Sequence, residues 1–211
     1  MKKTLLLSAG IAALLAQVAS AQTVTNLINS WENSTEGWGS EGTWSSGGFS
    51  TTTGVTQGTY SWILTDSAAP DYSAALGGTA STSLTYDLAY STAIEVDVLA
   101  GSSFGYQQWD LTLNNSVFGY QSADGYSFPE SPSLGSESTL TFTVSPTYLA
   151  DLIANPTSTT SINFQIGGSA AGTMEIDNLR IIDTFPVPEP STLALAGLSA
   201  AGMLAIRRRK A

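Results

Sequence analysis

The 211-residue sequence contains no histidine and no cysteine. These two absences exclude Ser-His-Asp and Cys-His nucleophile systems, zinc sites of the usual nitrogen and sulfur type, haem ligation by histidine, disulfides and thiol redox chemistry. Carboxylates, hydroxyls, amides and aromatic rings remain. Any site in this chain must therefore be built from those groups.

Basic side chains are scarce and lie almost entirely at the two ends of the chain. Residues 22–186 hold sixteen acidic side chains and a single base, Arg180, which gives this stretch a net charge of −15. Nucleic acids are excluded as partners, because their phosphates need Lys and Arg for neutralisation. Anionic membrane surfaces are repelled for the same reason, whereas cations and neutral glycans are compatible with the charge.

The first 21 residues have the pattern of a secretory signal peptide. Lys2 and Lys3 precede an apolar run over 5–18, and small residues follow at 19–21, where signal peptidase would cut. The mature chain would then begin at Gln22. A retained first transmembrane helix is the alternative, and the short run with its cleavage pattern disfavours it.

The last 25 residues combine three features in a fixed order. The tripeptide Pro188, Glu189 and Pro190 precedes a small, apolar stretch over 191–206, and a basic cluster follows: Arg207, Arg208, Arg209 and Lys210. A helix over 191–206 would be about 24 Å long, shorter than a hydrocarbon core of about 30 Å, which suits a transient anchor. Because positive charge stays cytoplasmic, the rest of the protein would lie beyond the inner membrane.

This C-terminal combination resembles the PEP-CTERM sorting signal. The resemblance implies cleavage near residues 188–190 by an exosortase, a transpeptidase-like membrane enzyme of Gram-negative bacteria that make exopolysaccharide. It also implies delivery to the cell surface or the biofilm matrix. The expected partners are signal peptidase and exosortase during processing, the inner membrane transiently, and exopolysaccharide. An ordinary C-terminal membrane anchor is the alternative and has the same topology.

Residues 22–186 are enough for a single core, so they are predicted to form one domain between the signal peptide (1–21) and the sorting signal (187–211). Apolar and polar residues alternate in several runs, as in half-buried strands. The predicted strands are 24–30, 59–65, 80–88, 93–99, 109–113, 139–144, 162–166 and 173–182. Short strands separated by Gly, Ser and Pro turns predict an all-β antiparallel β-sandwich, a jelly roll.

Two segments depart from simple alternation. Ser145 at an N-cap and Pro146 at the first helical position predict one short helix that ends near Asn155. In the last strand the apolar parity changes at Asp177 and Asn178. Either both faces of the strand are covered there or the strand contains a β-bulge.

Three short segments, 31–38, 54–62 and 174–181, resemble the frame of carbohydrate-binding-module and galactose-binding-like jelly rolls. In that family a structural calcium often joins the opening acid, the loop before the third strand and the closing acid. Carried over by position, this nominates Glu32, backbone carbonyls near 56–61, and Asp177. Oxygen ligands suit Ca²⁺, and a strongly acidic domain gains from a cation. The alternative is that both acids are merely capped or solvated.

Aromatic rings are candidates for ligand contact, because flat sugar faces stack on them. The stretch 104–128 is rich in aromatic and amide side chains, and the rings expected to be exposed and glycan-binding are Tyr106, Tyr120 and Tyr126. Other aromatics are expected to pack inside the domain. Trp109 shares the parity of Leu111 and Leu113, and core or turn packing is also predicted for Trp31, Trp38 and Trp62.

A glycosidase needs a pair of carboxylates, and Glu95, Asp97 and Asp110 are candidates on nearby strands. A chain this acidic is nevertheless expected to place acid pairs on solvated strand faces, so no catalytic residue is assigned. The sequence thus predicts a secreted, exosortase-sorted surface or matrix protein whose domain is structural or binds glycan without catalysis. A carboxylate-dependent glycosidase is the remaining alternative.

Overall fold

The computed structural model describes residues 21–40, 42, 44–67, 74–104, 107–123, 130–168 and 170–186. Residues 1–20 of the signal-peptide segment, Tyr106, Tyr126 and the sorting segment at 187–211 lie outside the described residues. A compact unit over 24–183 holds the core, and residues 21–23 and 184–186 belong to a second unit. In the described ranges no helix is both long enough and apolar enough to cross a membrane.

The described part of the chain forms eleven strands and two helices. The strands are β1 (Ala21–Asn29), β2 (Gly39–Ser40), β3 (Trp44–Ser50), β4 (Ser61–Asp66), β5 (Ala74–Gly77), β6 (Ser91–Ala100), β7 (Gln107–Asn115), β8 (Gly119–Ser122), β9 (Glu137–Thr143), β10 (Thr160–Gly168) and β11 (Gly172–Pro186). The helices are α1 (Thr82–Ala89) and α2 (Pro146–Ala154).

The strands form two antiparallel sheets that pack face to face. The six-stranded sheet has the order β3-β4-β11-β6-β9, with β1 also paired to β11, and the five-stranded sheet has the order β2-β5-β10-β7-β8. Within them, the orders β4-β11-β6-β9 and β5-β10-β7-β8 are those of a jelly roll, in which most connections cross between the sheets. The predicted all-β antiparallel sandwich is confirmed.

The core lies between the sheets, because alternate residues of each strand point inward. Phe164 of β10 is at its centre, with ring centroids 5.4 Å from Trp109, 5.7 Å from Trp38 and 5.9 Å from Phe142. The predicted interior positions of four tryptophans are confirmed, since all are buried: Trp31, Trp38, Trp62 and Trp109.

Helix α2 confirms the helix predicted from a cap and a proline. The Oγ of Ser145 accepts a hydrogen bond from the N–H of Tyr148 at 3.2 Å, and Pro146 occupies the first helical position. Proline is tolerated there because its missing N–H would have no partner inside the helix.

The strand predicted over 80–88 is wrong, because this segment forms helix α1. Ser81 caps the helix, and its Oγ accepts the N–H of Leu84 at 3.1 Å. Thr85, Leu88 and Ala89 are the residues that α1 buries. Their spacing of three and four residues forms one helical stripe, and together with the cap it outweighs the alternating pattern. The described chain therefore has two short helices where the pattern predicted one.

A β-bulge explains the change of apolar parity in β11. Asp177 is opposite Asp97 of β6, but Arg180 is opposite Glu95, so β11 contains one extra residue. Asn178 takes up the extra length with a φ of 53°. The bulge turns the side chains of β11 over, which is why the core residues on either side of it have opposite parity.

Candidate functional site

The loop over residues 51–60 is held by buried and half-buried carboxylates of β11. The Oδ2 atom of Asp177 accepts the N–H groups of Thr56 and Gln57, each at 2.7 Å, and Oδ1 accepts the N–H of Asn178 at 2.7 Å. Burial raises the pKa of Asp177, and the hydrogen bonds offset only part of that rise. Asp177 therefore fixes the middle of the loop onto the sheet.

Glu175 fastens the start of the same loop. Its two carboxylate oxygens accept hydrogen bonds from the hydroxyls of Thr53 and Ser61, each at 2.7 Å. Because Ser61 is the first residue of β4, these bonds join the loop to both strands beneath it. The loop is thus tied down by side chains rather than by strand pairing.

Glu32 fastens the end of the loop. Its two oxygens accept the N–H of Thr59 at 2.9 and 3.1 Å. Trp31, the residue before Glu32, has a φ of 48°, although it is bulky and fully buried. Such a conformation is unfavourable for a large side chain and persists only where the surroundings enforce it.

The structure brings Glu32 and Asp177 to the same loop. The calcium prediction expected backbone carbonyls of this loop to share a cation with the two acids. The loop instead presents backbone N–H groups, which donate hydrogen bonds to the carboxylate oxygens. Ca²⁺ takes about six to eight oxygen ligands, and an N–H that points at a carboxylate oxygen competes with a cation. The side-chain oxygen of Gln57 is buried without a hydrogen-bond partner, which leaves one atom that a cation would satisfy. Within the described ranges no group of three acidic side chains is arranged to hold a metal. The contacts therefore fit hydrogen-bonded acids better than calcium ligands, and the calcium site stays a prediction.

Arg180 binds both carboxylates of β6 that were candidates for catalysis. Its Nε and Nη2 atoms lie 2.8 and 2.7 Å from Oε2 of Glu95, and its Nη1 lies 3.0 Å from Oδ2 of Asp97. Thr139 donates to the other oxygen of Asp97 at 2.7 Å. Burial raises the pKa of Asp97, but the hydrogen bonds, that from Arg180 first, outweigh this and leave the pKa below its usual value.

Asp110 does not lie near Glu95 and Asp97, so that expectation is wrong. Asp110 is on β7 of the five-stranded sheet, whereas the other two are on β6 of the six-stranded sheet. All three have parity opposite to the core residues, so they point away from the core on opposite sides of the sandwich. Consecutive strands of a jelly roll change sheets, which separates acids that are close in sequence.

The outer face of the five-stranded sheet is lined with polar side chains. Since Trp109, Leu111 and Leu113 of β7 point into the core, their neighbours face outward, as do the neighbours of Ile162, Phe164 and Ile166 on β10. The register sets the outward residues opposite one another in three cross-strand pairs: Asp110 with Gln165, Thr112 with Asn163, and Asn114 with Ser161. Asp110 also accepts a hydrogen bond from the hydroxyl of Ser122 at 2.5 Å.

Tyr120 of β8 lies at the edge of this polar face, opposite Asn114. Its side chain is 60% exposed, as expected for a candidate glycan-binding ring. Tyr106 and Tyr126 lie outside the described residues, so their roles stay predictions. The amides on β10 were missed as candidates, although their alternation with Ile162, Phe164 and Ile166 was visible in the sequence.

Comparison with known families identifies the end of the chain. Residues 186–210 match the PEP-CTERM protein-sorting motif. This confirms the predicted C-terminal sorting motif and indicates sorting to the cell surface by an exosortase, while the individual roles of Pro188, Glu189 and Pro190 stay predictions. The match concerns this segment and not the domain before it. No curated protein matches the chain significantly.

Among solved structures, the chain is similar to carbohydrate-binding modules. The CBM22-1 xylan-binding domain from Paenibacillus barcinonensis Xyn10C is 12% identical, with a TM-score of 0.47 over 82% of this chain and 99% of that one. The family 22 module from Clostridium thermocellum Xyn10B is 12% identical, with a TM-score of 0.49 over 76% and 94%. The family 11 module from the same organism, in complex with a β-1,3-1,4-mixed-linked tetrasaccharide, is 13% identical, with a TM-score of 0.48 over 78% and 98%. At these scores the likeness carries no conclusion about a ligand.

Proposed function

We propose that residues 22–186 form a non-catalytic polysaccharide-binding domain that the sorting motif directs to the cell surface or the biofilm matrix. The observation that supports this most is the outer face of the five-stranded sheet, where the half-buried amides of Asn114 and Gln165 lie on the same face as the exposed ring of Tyr120. Amide and carboxylate groups hydrogen-bond to sugar hydroxyls, and a tyrosine ring stacks on a sugar face. The net charge of −15 favours neutral or cationic polymers over anionic ones.

The absence of catalysis is part of the proposal and is supported by the state of the acids. A glycosidase needs one carboxyl group that stays protonated beside another that is charged. Glu95 and Asp97 share the positive charge of Arg180, and the pKa of Asp97 is lowered rather than raised. Asp110 accepts a hydrogen bond from the hydroxyl of Ser122 on the five-stranded sheet.

The route to the surface is also proposed in detail. Signal peptidase would remove residues 1–21, and the apolar stretch at 191–206 would hold the chain in the inner membrane with Arg207, Arg208 and Arg209 on the cytoplasmic side. Exosortase would then cut near residues 188–190. The mature protein would meet exopolysaccharide outside the cell.

A structural surface protein without a ligand is the second candidate. It is favoured by the burial of Asp110, Thr112 and Asn163, because buried polar groups are not accessible to a ligand. In that case Tyr120 would be exposed to solvent without binding a ligand.

Affinity electrophoresis of the full chain in mild detergent tests the proposal. The gels would contain xylan, mixed-linkage β-glucan, galactomannan or alginate, the last as an anionic control. We expect retardation by at least one neutral polymer, and Tyr120→Ala should weaken it about threefold to tenfold through lost stacking. Ile153→Ala is the control, because Ile153 is 54% exposed, similar to Tyr120, but lies on α2. If the folded protein is retarded by no polymer, the structural alternative is correct.

A further inference from the structure

Helix α1 presents two exposed tyrosines that the core does not use. Tyr86 and Tyr90 are 62% and 50% exposed, and their rings contact each other edge to face, with centroids 5.4 Å apart. Apart from these two and Tyr120, the Trp, Tyr and Phe rings whose exposure the structure describes are buried or half-buried. Exposed aromatic surface of this kind marks a binding surface when a cleft lies beside it.

A cleft of about 240 Å³ lies between α1, β1 and β11. Leu27, Leu84 and Ile181 give it apolar walls, and Asn26, Ser83 and Asp87 give it polar ones. Asp87 precedes Tyr90 by three residues at the end of α1, and positions three apart are neighbours on a helix surface, so the cleft wall at Asp87 adjoins the tyrosine pair. A smaller cleft of about 80 Å³ shares Leu84 and extends the groove toward Glu36.

A buried carboxylate, that of Asp183, adjoins the cleft through Asn26, one of the lining residues. Asp183 is only 3% exposed, its Oδ2 accepts a hydrogen bond from Nδ2 of Asn26 at 2.6 Å, and its Oδ1 is buried without a hydrogen-bond partner. Burial raises the pKa of Asp183, and the negative charge of Asp87 raises it further. Arg180, the one base of residues 22–186, is bound to Glu95 and Asp97. Among the described residues, no basic side chain lines this cleft.

We propose that the cleft beside α1 binds amino-sugar units of a polysaccharide, with Tyr86 and Tyr90 against the sugar and Asp87 facing its ammonium group. The inference rests on the proposed function in taking a polysaccharide as the partner, but it uses a different surface from the sheet with Tyr120. The groove is smaller than pockets for drug-sized ligands, which are about 300–1,000 Å³, and so suits one or two sugar rings.

Amino sugars fit these groups better than neutral sugars or proteins do. An ammonium group is attracted both to a carboxylate and to the faces of tyrosine rings. The apolar walls match the C–H face of a sugar ring, while Asn26 and Ser83 supply partners for its hydroxyls. A second copy of this chain would bring another charge of −15 to the same place, which opposes self-association.

Calorimetry with two chito-oligosaccharides tests this inference on the full chain in mild detergent. The fully deacetylated glucosamine hexamer and the fully N-acetylated hexamer differ only at nitrogen and would be compared at a pH where the free amines are protonated. We expect saturable binding of the deacetylated hexamer and much weaker binding of the acetylated one. Tyr86→Ala, Tyr90→Ala and Asp87→Asn should each weaken the binding about fivefold.

Two controls separate the cleft from general charge attraction and from apolar surface elsewhere. Glu137→Gln removes one exposed acid on β9, and Ile153→Ala removes a 54% exposed apolar side chain on α2. Both should leave the affinity for the deacetylated hexamer within about twofold, because neither touches the cleft. Thermal melting would verify that every variant is folded.

Three results would overturn the inference: no binding of the deacetylated hexamer, equal binding of the acetylated one, or equal weakening by Glu137→Gln and Asp87→Asn. Loss of hexamer binding in Tyr120→Ala alone would place the ligand on the five-stranded sheet and would also overturn it. If neutral polysaccharides still bind and Tyr120→Ala still weakens that binding, the proposed function stands in each case. Failure of the cleft and failure of the proposed function are therefore distinguishable.

Discussion

Replacing Arg180 by methionine should destabilise the domain more than any other surface change on the six-stranded sheet. Methionine keeps much of the aliphatic length but leaves Glu95 and Asp97 without their shared cation. The side chains of Arg180, Glu95 and Asp97 are only 14%, 25% and 9% exposed, so solvent screens them incompletely. The change also makes the charge of residues 22–186 more negative than −15.

The expected loss follows from the geometry of the ion pairs. Removing one partner of a fully buried pair costs about 3–5 kcal/mol, and partial exposure reduces this to about 2–4 kcal/mol here. A loss of about 3 kcal/mol lowers the melting temperature of a domain of this size by about 6–12 °C. Thermal unfolding of the full chain, followed by near-UV circular dichroism at pH 7, would measure the shift.

The pH dependence of the loss identifies its cause. The pKa of Asp97 is lowered in the folded protein, so its contribution to stability is present above the unfolded pKa, near 3.8, and is lost as the pH falls through the folded value. In Arg180→Met this contribution is absent. The difference in melting temperature between the two proteins should therefore be large at pH 7 and narrow as the pH falls below about 4.

Two further variants serve as controls for Arg180→Met. Arg180→Lys keeps the charge but cannot contact both carboxylates with a planar fork, so about half of the loss is expected. Adding Glu95→Gln and Asp97→Asn to Arg180→Met should recover part of the stability, because no uncompensated charge remains. A melting temperature within about 2 °C of the parent for Arg180→Met, or a difference that does not narrow in acid, would refute the reasoning.

Three other predictions concern the 51–60 loop, the cap of α2 and the calcium site. Gly58→Ala should cost about 1–3 kcal/mol in a urea titration, since a Cβ there would overlap Oε1 of Glu32. Gly119→Ala, with a similar φ of 75° and open space around it, should cost less in the same assay. Ser145→Ala should cost about 1 kcal/mol in that assay by removing the cap of α2, and an unchanged midpoint would contradict the assigned cap. We expect chelation to leave the melting temperature unchanged, because Asp177 already accepts N–H bonds. A rise of about 2.7 kcal/mol in stability at a hundredfold excess of calcium over its dissociation constant, absent in Asp177→Asn, would establish the calcium site instead.

The sandwich could be predicted because burial on one face imposes a period of two on each strand. Ile94, Val96 and Val98 show this on β6, and all three are buried. The same reasoning failed at 80–88, where Leu84 and Leu88 satisfy a helical period as well as an alternating one. The hydrogen bond from the N–H of Leu84 to Ser81 decides between the two. A serine in the capping position before a short run that fits both periods therefore favours a helix over a strand.

The pairing of distant residues was harder to predict than the elements themselves. Asp110 follows Asp97 closely in sequence, yet the connection from β6 to β7 crosses between the sheets and separates the two carboxylates. Periodicity gives the face of a strand but not its sheet. Arg180 illustrates the same limit, because nothing local to its sequence indicates that it would bind two acids across the strand from it.

The way in which the fold uses its acids decides where a ligand can bind. Glu32, Glu175 and Asp177 hold the 51–60 loop, and Glu95 and Asp97 hold Arg180. These carboxylates have partners from the chain itself, so a ligand would have to break hydrogen bonds to reach them. Asp87 and Asp183 differ, because the described residues offer them no basic partner and one oxygen of Asp183 has no hydrogen bond at all. Asp87, exposed at the cleft beside α1, is therefore open to a cationic ligand that also contacts Tyr86 and Tyr90.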